Sequence, residues 1–164
     1  MGTCECEKTS QSLHPSPGRV SDEEDLLRLA FLPDMVDDAG NLKNTAIPSA
    51  ELTRQVDNEA PERGMSVFRR VHLQPDTLLA TAKSLIKKGR MDALVFRCTA
   101  GQLRTIVGVD KERGVCVVDR AKIDDTSHAE AWGGKAGRSP AAIKDLRDQI
   151  VSKLKFDQRL EIGS

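Results

Sequence analysis

The sequence has no tyrosine, one tryptophan and four phenylalanines, so aromatic residues make up only 3% of its 164 residues. Proteins that bind single-stranded nucleic acid stack bases on aromatic side chains, so this scarcity counts against that class. A charge excess is missing too, because 25 basic side chains face 25 acidic ones. Binders of nucleic acid usually carry a basic excess that neutralises phosphates. We therefore do not expect nucleic acid as a partner.

Long apolar runs are also missing, and no segment approaches the roughly 20 apolar residues that span a bilayer. The first ten residues are polar and lack the apolar core of a signal peptide. Two cysteines, Cys4 and Cys6, lie at the N-terminus, while Cys98 and Cys116 fall in strand-like segments. This arrangement is not typical of a disulfide framework. The sequence predicts a cytoplasmic protein without a membrane partner.

No complete metal or nucleotide motif is present. Cys4 and Cys6 are one residue apart, whereas zinc sites usually pair cysteines two residues apart, and His14 would bring the ligands only to three. The glycine-rich segment 133–137 lacks the Gly-Lys-Ser/Thr of a phosphate-binding P-loop, because Ala136 follows Lys135. The sequence therefore predicts neither a metal nor a cofactor.

The pattern of apolar residues predicts an α+β fold, with a small antiparallel or mixed sheet flanked by two amphipathic helices. Residues 1–20 contain Ser, Thr, Pro and Gly and almost nothing apolar, so we interpret them as a flexible, disordered N-terminal tail. Residues 21–164 then form a single domain. Its length is ordinary for one domain and needs no disulfide or metal to fold.

Two segments have the helical spacing of apolar residues. One begins at Pro75 or Asp76 and reaches about residue 88, with Gly89 as its C-terminal cap. The other begins with Ser139 as cap and Pro140 as first residue and ends near residue 155. Residues 50–56 suggest one or two further helical turns. Strands are predicted over residues 65–73, 93–98, 103–109 and 114–119; residues 26–31 fit a helix or a strand, and residues 124–137 read as an irregular loop.

His128 is the leading candidate for a catalytic residue. It lies in Asp124-Asp125-Thr126-Ser127-His128-Ala129-Glu130, where Asp125 or Glu130 could orient the ring as a general base. The alternative is a surface histidine with ordinary loop hydrogen bonds. His72 is the second candidate, and either imidazole could instead pair with Cys98 or Cys116, although buried core cysteines are the simpler interpretation.

Two basic groups are candidates for binding a substrate or an anion. Arg69 and Arg70 precede His72 on a predicted strand, and guanidinium groups suit phosphate and carboxylate. Lys135 and Arg138 flank glycines just before the last helix, where backbone amides can hold an anion. The alternatives are a solvated charged face for the first group and a flexible loop tip for the second.

Three short motifs resemble a set of uncharacterised short bacterial proteins over about residues 25–132. They are Ile47-Pro48-Ser49-Ala50-Glu51-Leu52, Gly64-Met65-Ser66-Val67-Phe68-Arg69 and His128-Ala129-Glu130. The chain departs from the shared pattern at Met65, where Leu is usual, and at Phe68, where an acid is usual. The resemblance implies a bacterial source but no activity.

Three functions remain open from the sequence. The first is a small bacterial cytosolic accessory protein that acts through a protein partner, in a defence or mobile-element context. The second is a small enzyme on a nucleotide or phosphorylated substrate, such as an ADP-ribose transferase or hydrolase, with His72, His128 and Arg69 or Arg70 in one cleft. The third is a nucleic-acid binder that uses the basic strand with Lys83, Lys87, Lys88 and Arg90.

Overall fold

The fold centres on a six-stranded sheet in which every neighbouring pair is antiparallel. The computed structural model describes residues 4–57, 59–86 and 92–162. The strands are β1 (Asp25–Phe31), β2 (Met65–Arg69), β3 (Asp92–Thr99), β4 (Val115–Asp119), β5 (His128–Gly133) and β6 (Lys155–Glu161), and they lie in the order β4-β5-β2-β1-β3-β6. The predicted α+β class is confirmed.

Four helices occur among the described residues, namely α1 (Ser49–Leu52), α2 (Thr77–Leu85), α3 (Ala100–Arg104) and α4 (Pro140–Lys153). Ser139 caps α4 as predicted, because its hydroxyl accepts a hydrogen bond from the backbone N–H of Ala142 at 3.2 Å. The predicted helix over residues 75–88 is confirmed from Thr77 to Leu85, Ile86 has an extended backbone, and residues 87–88 with the Gly89 cap lie outside the described part. No described helix has the length and apolarity needed to cross a membrane.

The two predicted amphipathic helices lie on opposite faces of the sheet. Helix α4 buries Leu146 and Ile150 against one apolar layer, which also contains Leu26 and Met65. Helix α2 packs on the other face against a separate layer, which contains Leu27, Leu29, Phe68 and Val95. Alternation of side chains along each strand supplies both layers, so the core is divided by the sheet.

Strands β1 and β2 separate soon after they begin to pair. Strand β1 is matched to β3 along its whole length but to β2 only at Leu26–Arg69 and Leu27–Phe68. Beyond that point the side chain of Arg28 replaces the missing ladder, since its Nη1 donates to the carbonyl of Ser66 at 3.0 Å. A buried backbone carbonyl needs a partner, and here a guanidinium supplies it. The separation opens a gap in the sheet.

The first described residues of the expected N-terminal tail, residues 4–7, are ordered against the sheet. They pack on β4, and Cys4, Cys6 and Glu7 are buried. Residues 8–19 are mainly exposed. They contact the edge of β4 through a hydrogen bond from the Gln11 N–H to the Asp119 carbonyl at 3.0 Å. The carboxylate of Glu7 accepts hydrogen bonds from Arg104, Arg113 and the backbone N–H of Val117. Such a buried and fully bonded carboxylate holds the segment in place.

A disulfide joins Cys4 to Cys116 across 112 residues of sequence. Cysteine spacing did not predict this pairing, because the two cysteines meet only when the N-terminal segment lies along β4. Cys6 and Cys98 are free and buried. Structural disulfides are rare in cytosolic proteins, so the bond counts against the predicted cytoplasmic location, which stays a prediction.

Three local predictions were wrong. Residues 103–109 do not form a strand, because the first two belong to α3, which starts at a capping box of Thr99 and Gln102. Val107 makes only an isolated bridge to Arg113. Residues 124–137 are not wholly irregular, since β5 begins at His128 and is buried throughout. Strand β6 was missed because its sequence, Lys155-Phe-Asp-Gln-Arg-Leu-Glu161, is mostly polar and it lies at the edge of the sheet.

Candidate functional site

A cleft of about 710 Å³ opens on the face of the sheet that carries α2. Its floor contains the apolar side chains of Leu29, Phe31 and Phe68. Helix α2 forms one wall and contributes hydroxyl groups, and the loop before β5 forms another with Lys122, Asp124 and Asp125. The volume and the mixture of apolar floor and polar rim are ordinary for a small-molecule site.

Ser66 and His128 form a hydrogen-bonded pair in this floor. Phe68 lies opposite His128 in the β2–β5 ladder, so Ser66 is its diagonal neighbour on the same face. The Nε2 of His128 lies 3.2 Å from the hydroxyl oxygen of Ser66, and Nδ1 lies 2.7 Å from the carbonyl oxygen of Arg120. A carbonyl only accepts, so Nδ1 carries the proton and donates it. Nε2 is then the acceptor for the Ser66 hydroxyl.

The environment of His128 favours the neutral ring. Burial lowers its pKa from the ordinary value, and the nearby positive charge of Lys122 lowers it further, against the opposing effects of the Arg120 carbonyl, Glu130 and Asp125. The side chain is only 3% exposed. A neutral imidazole that accepts a hydrogen bond from a serine hydroxyl has the arrangement of a general base beside a nucleophile.

Arg28 and Glu51 line the cleft at the gap between β1 and β2. The Nη2 of Arg28 donates to the carbonyl of Ala46 at 3.0 Å and lies 3.9 Å from Oε2 of Glu51. Both side chains are buried, yet Nε of Arg28 and Oε2 of Glu51 have no hydrogen-bond partner among the described residues. Burial raises the pKa of Glu51 more than the neighbouring arginines lower it. The exposed Arg63 lies at the same end.

A comparison with protein-family models, curated proteins and solved structures finds no match.

Among the six predicted site residues, His128 lines the cleft and Arg69 does not. The guanidinium of Arg69 is 1% exposed and bonded on all sides, to both carboxylate oxygens of Glu24 at 2.7 and 2.8 Å and to Asp119 at 3.2 Å. It also donates to the carbonyls of Gly18 and Arg19. Arg69 thus fastens residues 18–24 to the sheet and has no N–H left for a substrate.

The other four predicted residues also lie away from the cleft. Arg70 pairs with Asp157 of β6, and Nε2 of His72 lies 3.8 Å from Glu24. Lys135 and Arg138 converge on the carboxylate of Asp110 at 3.4 and 3.3 Å. The structure therefore groups the basic residues with acids instead of bringing them to His128.

The glycines before α4 allow close packing. A Cβ at Gly133 would lie 2.0 Å from the carbonyl oxygen of Leu52, and one at Gly134 would lie 2.1 Å from that of Arg113. Both distances are far below contact, so neither position accepts a side chain without a shift of the backbone. This close packing explains why glycine occupies both positions.

The sequence reasoning missed Ser66, Arg28 and Glu51. Ser66 is a polar residue within the otherwise apolar strand Met65-Ser-Val-Phe68, and Arg28 is a lone charge within the run Leu26–Phe31. A polar residue in a buried strand costs free energy unless it has a partner, so both were detectable signals. Which partners they meet depends on strand order, which one sequence does not specify.

One group of metal-ligating side chains occurs in the described part of the chain. Ligand atoms of Cys4, Glu7 and Cys116 lie within 4.8 Å of one another. The two sulfurs are bonded to each other, and the oxygens of Glu7 accept from Arg104 and Arg113. With its ligand atoms so engaged, the group gives no support for a metal site.

Proposed function

We propose that the protein is a small-molecule hydrolase or transferase that cleaves an ester bond in the cleft, with Ser66 as nucleophile and His128 as general base. The hydrogen bond between Ser66 Oγ and His128 Nε2 carries the proposal. A serine hydroxyl is a weak nucleophile by itself and becomes effective when a neighbouring base removes its proton. The cleft beside the pair has room for a substrate.

The chemistry would proceed in two steps. Oγ of Ser66 attacks the carbon or phosphorus atom of the ester while its proton moves to Nε2 of His128. The imidazolium then returns that proton to the leaving oxygen as the ester bond breaks, leaving an ester on Ser66. Water, or an acceptor alcohol, attacks this intermediate with His128 again as base, and the Ser66 hydroxyl is restored.

A backbone carbonyl takes the place that a carboxylate holds in a Ser-His-Asp triad. The Arg120 carbonyl fixes the tautomer and orientation of the ring. It stabilises the imidazolium less than a carboxylate does, although Asp125 and Glu130 add negative potential nearby. We therefore expect turnover well below that of triad enzymes.

This proposal keeps the second function considered from the sequence, a small enzyme, but assigns it different residues. His72, Arg69 and Arg70 have no place in it, because none of them lines the cleft. The contacts of the cleft test neither the narrower ADP-ribose hypothesis nor the accessory role through a protein partner. Both stay predictions.

Turnover of p-nitrophenyl acetate and p-nitrophenyl phosphate tests the proposal. Ser66→Ala and His128→Asn should each lower kcat/KM for the better substrate by about 100-fold or more, since each removes one partner of the proton transfer. Ser152→Ala, on the exposed side of α4, is the matched control and should turn over like the native protein. Equal rates for Ser66→Ala and the native chain would contradict the proposal.

A further inference from the structure

The cleft has an unbalanced positive charge at the end where β1 and β2 separate. Arg28 remains charged in a protein, and it is buried here with one carboxylate, Glu51, at 3.9 Å. Arg63 lies close enough to affect both groups electrostatically, lowering the pKa of Glu51. It makes no ion pair within 4.0 Å with a described residue. Two guanidinium groups thus lie near Glu51, and the other acid in range, Glu130, is paired with Arg120.

A surplus of positive charge at a buried site costs folding free energy unless hydrogen bonds or a negative charge offset it. A buried charge loses its hydration and needs hydrogen bonds or an opposite charge in return. Two of the Arg28 nitrogens are satisfied by the carbonyls of Ser66 and Ala46, but Nε is not. Oε2 of Glu51 also lacks a donor. The unsatisfied atoms belong to side chains that line the cleft.

We propose that the substrate carries an oxyanion, a carboxylate or a phosphate, that is bound at this end by Arg28 and Arg63. Guanidinium groups suit both oxyanions because their N–H groups form paired, charge-assisted hydrogen bonds. The inference rests on the proposed function in that it names the substrate class of the same cleft.

The remaining lining defines the rest of the ligand. Leu29, Phe31 and Phe68 form an apolar floor next to Ser66. Ser66 links the two parts, because its carbonyl is bonded to Arg28 and its hydroxyl to His128. The ligand thus has an anionic group at one end, an apolar body, and the ester bond between them near Ser66.

Binding to the Ser66→Ala variant tests the inference without any turnover. Isothermal titration calorimetry measures the affinity of three probes: benzoate, its neutral analogue benzamide, and phenyl phosphate. Benzoate or phenyl phosphate should bind about tenfold or more tighter than benzamide, as hydrogen bonds to charged groups require. The tighter of the two anions identifies the carboxylate or the phosphate as the preferred group.

Arg63→Gln in the same background should remove most of that preference, whereas Arg70→Gln, an exposed arginine paired with Asp157, should leave it unchanged. Arg63 is chosen because it is exposed and its loss does not threaten folding. The inference is overturned if benzamide binds as tightly as both anions, if none of the three binds, or if Arg63→Gln has no effect. Anion binding that depends on Arg63, in a protein whose turnover does not depend on Ser66, would support the anion site and contradict the proposed enzyme.

Discussion

Replacing Arg69 with methionine is expected to lower the free energy of unfolding by about 3–5 kcal/mol. The guanidinium is the common partner of Glu24 and Asp119, and the side chain of Asp119 is 0% exposed. Methionine fills a similar volume but leaves the Asp119 carboxylate buried without its cation. Breaking a buried ion pair from one side costs far more than the pair contributes in net terms, because the remaining charge stays desolvated.

Arg70→Met is the matched control, since it changes the next residue by the same substitution. Arg70 is exposed and pairs only at the surface with Asp157, so its loss should cost about 0–1 kcal/mol. Urea unfolding of both variants, followed by the fluorescence of Trp132, gives the comparison. Equal losses for the two variants would show that Arg69 does not hold residues 18–24 as the structure indicates.

Loss of the Cys4–Cys116 disulfide is the second large effect, with an expected cost of about 2–5 kcal/mol. The bond closes a loop with a sequence separation of 112, and long loops lose the most conformational entropy in the unfolded chain when they are cross-linked. Cys4→Ser should therefore unfold at lower urea than the native protein. Trp132 reports the transition well, because it is the only tryptophan and is 0% exposed.

A dithiol reductant provides the control for this prediction. It should shift the unfolding midpoint of the native protein to that of Cys4→Ser and should leave Cys4→Ser itself unchanged. Cys98 should not interfere, because burial and the nearby Asp25 raise its pKa to about 12 and keep it as a thiol. A native protein whose midpoint does not respond to the reductant would contradict the disulfide.

Local rules were sufficient for the parts of the fold that local interactions determine. Ser139 followed by Pro140 marks the start of α4, and the structure places its first residue there. The apolar spacing after Pro75 similarly predicted α2. In both cases the signal and its physical cause lie within a few residues of each other.

Strands were harder to predict where burial in the sheet, and not local amino-acid composition, determines the structure. Strand β5 reads His-Ala-Glu-Ala-Trp-Gly, which has weak strand propensity, yet it lies between β4 and β2 and is buried on both faces. Its polar residues are accommodated by distant partners: Glu130 bonds to Arg120 and to the backbone of Gly64. Strand propensity depends strongly on such context, so the sequence of this segment could not predict it.

The candidate site was predicted only in part for the same reason. His128 stood out because an imidazole among carboxylates is a recognisable local pattern. Ser66 and Arg28 come from two other strands, and their partnership with each other and with His128 depends on the order β5-β2-β1. The arginines at positions 69 and 70 suggested a binding surface, but the fold uses them for ion pairs.

The tautomer of His128 tests the central claim most directly. Nitrogen-15 NMR of the imidazole at pH 7, assigned by comparison with His128→Gln, separates the two nitrogens. We expect a neutral ring with the proton on Nδ1 and none on Nε2, and the ring should stay neutral as the pH falls below the ordinary histidine pKa of about 6.5, because burial lowers the pKa of His128. A ring protonated on Nε2 at pH 7, whether neutral or charged, would contradict the account, since Nε2 could then not accept the proton of Ser66.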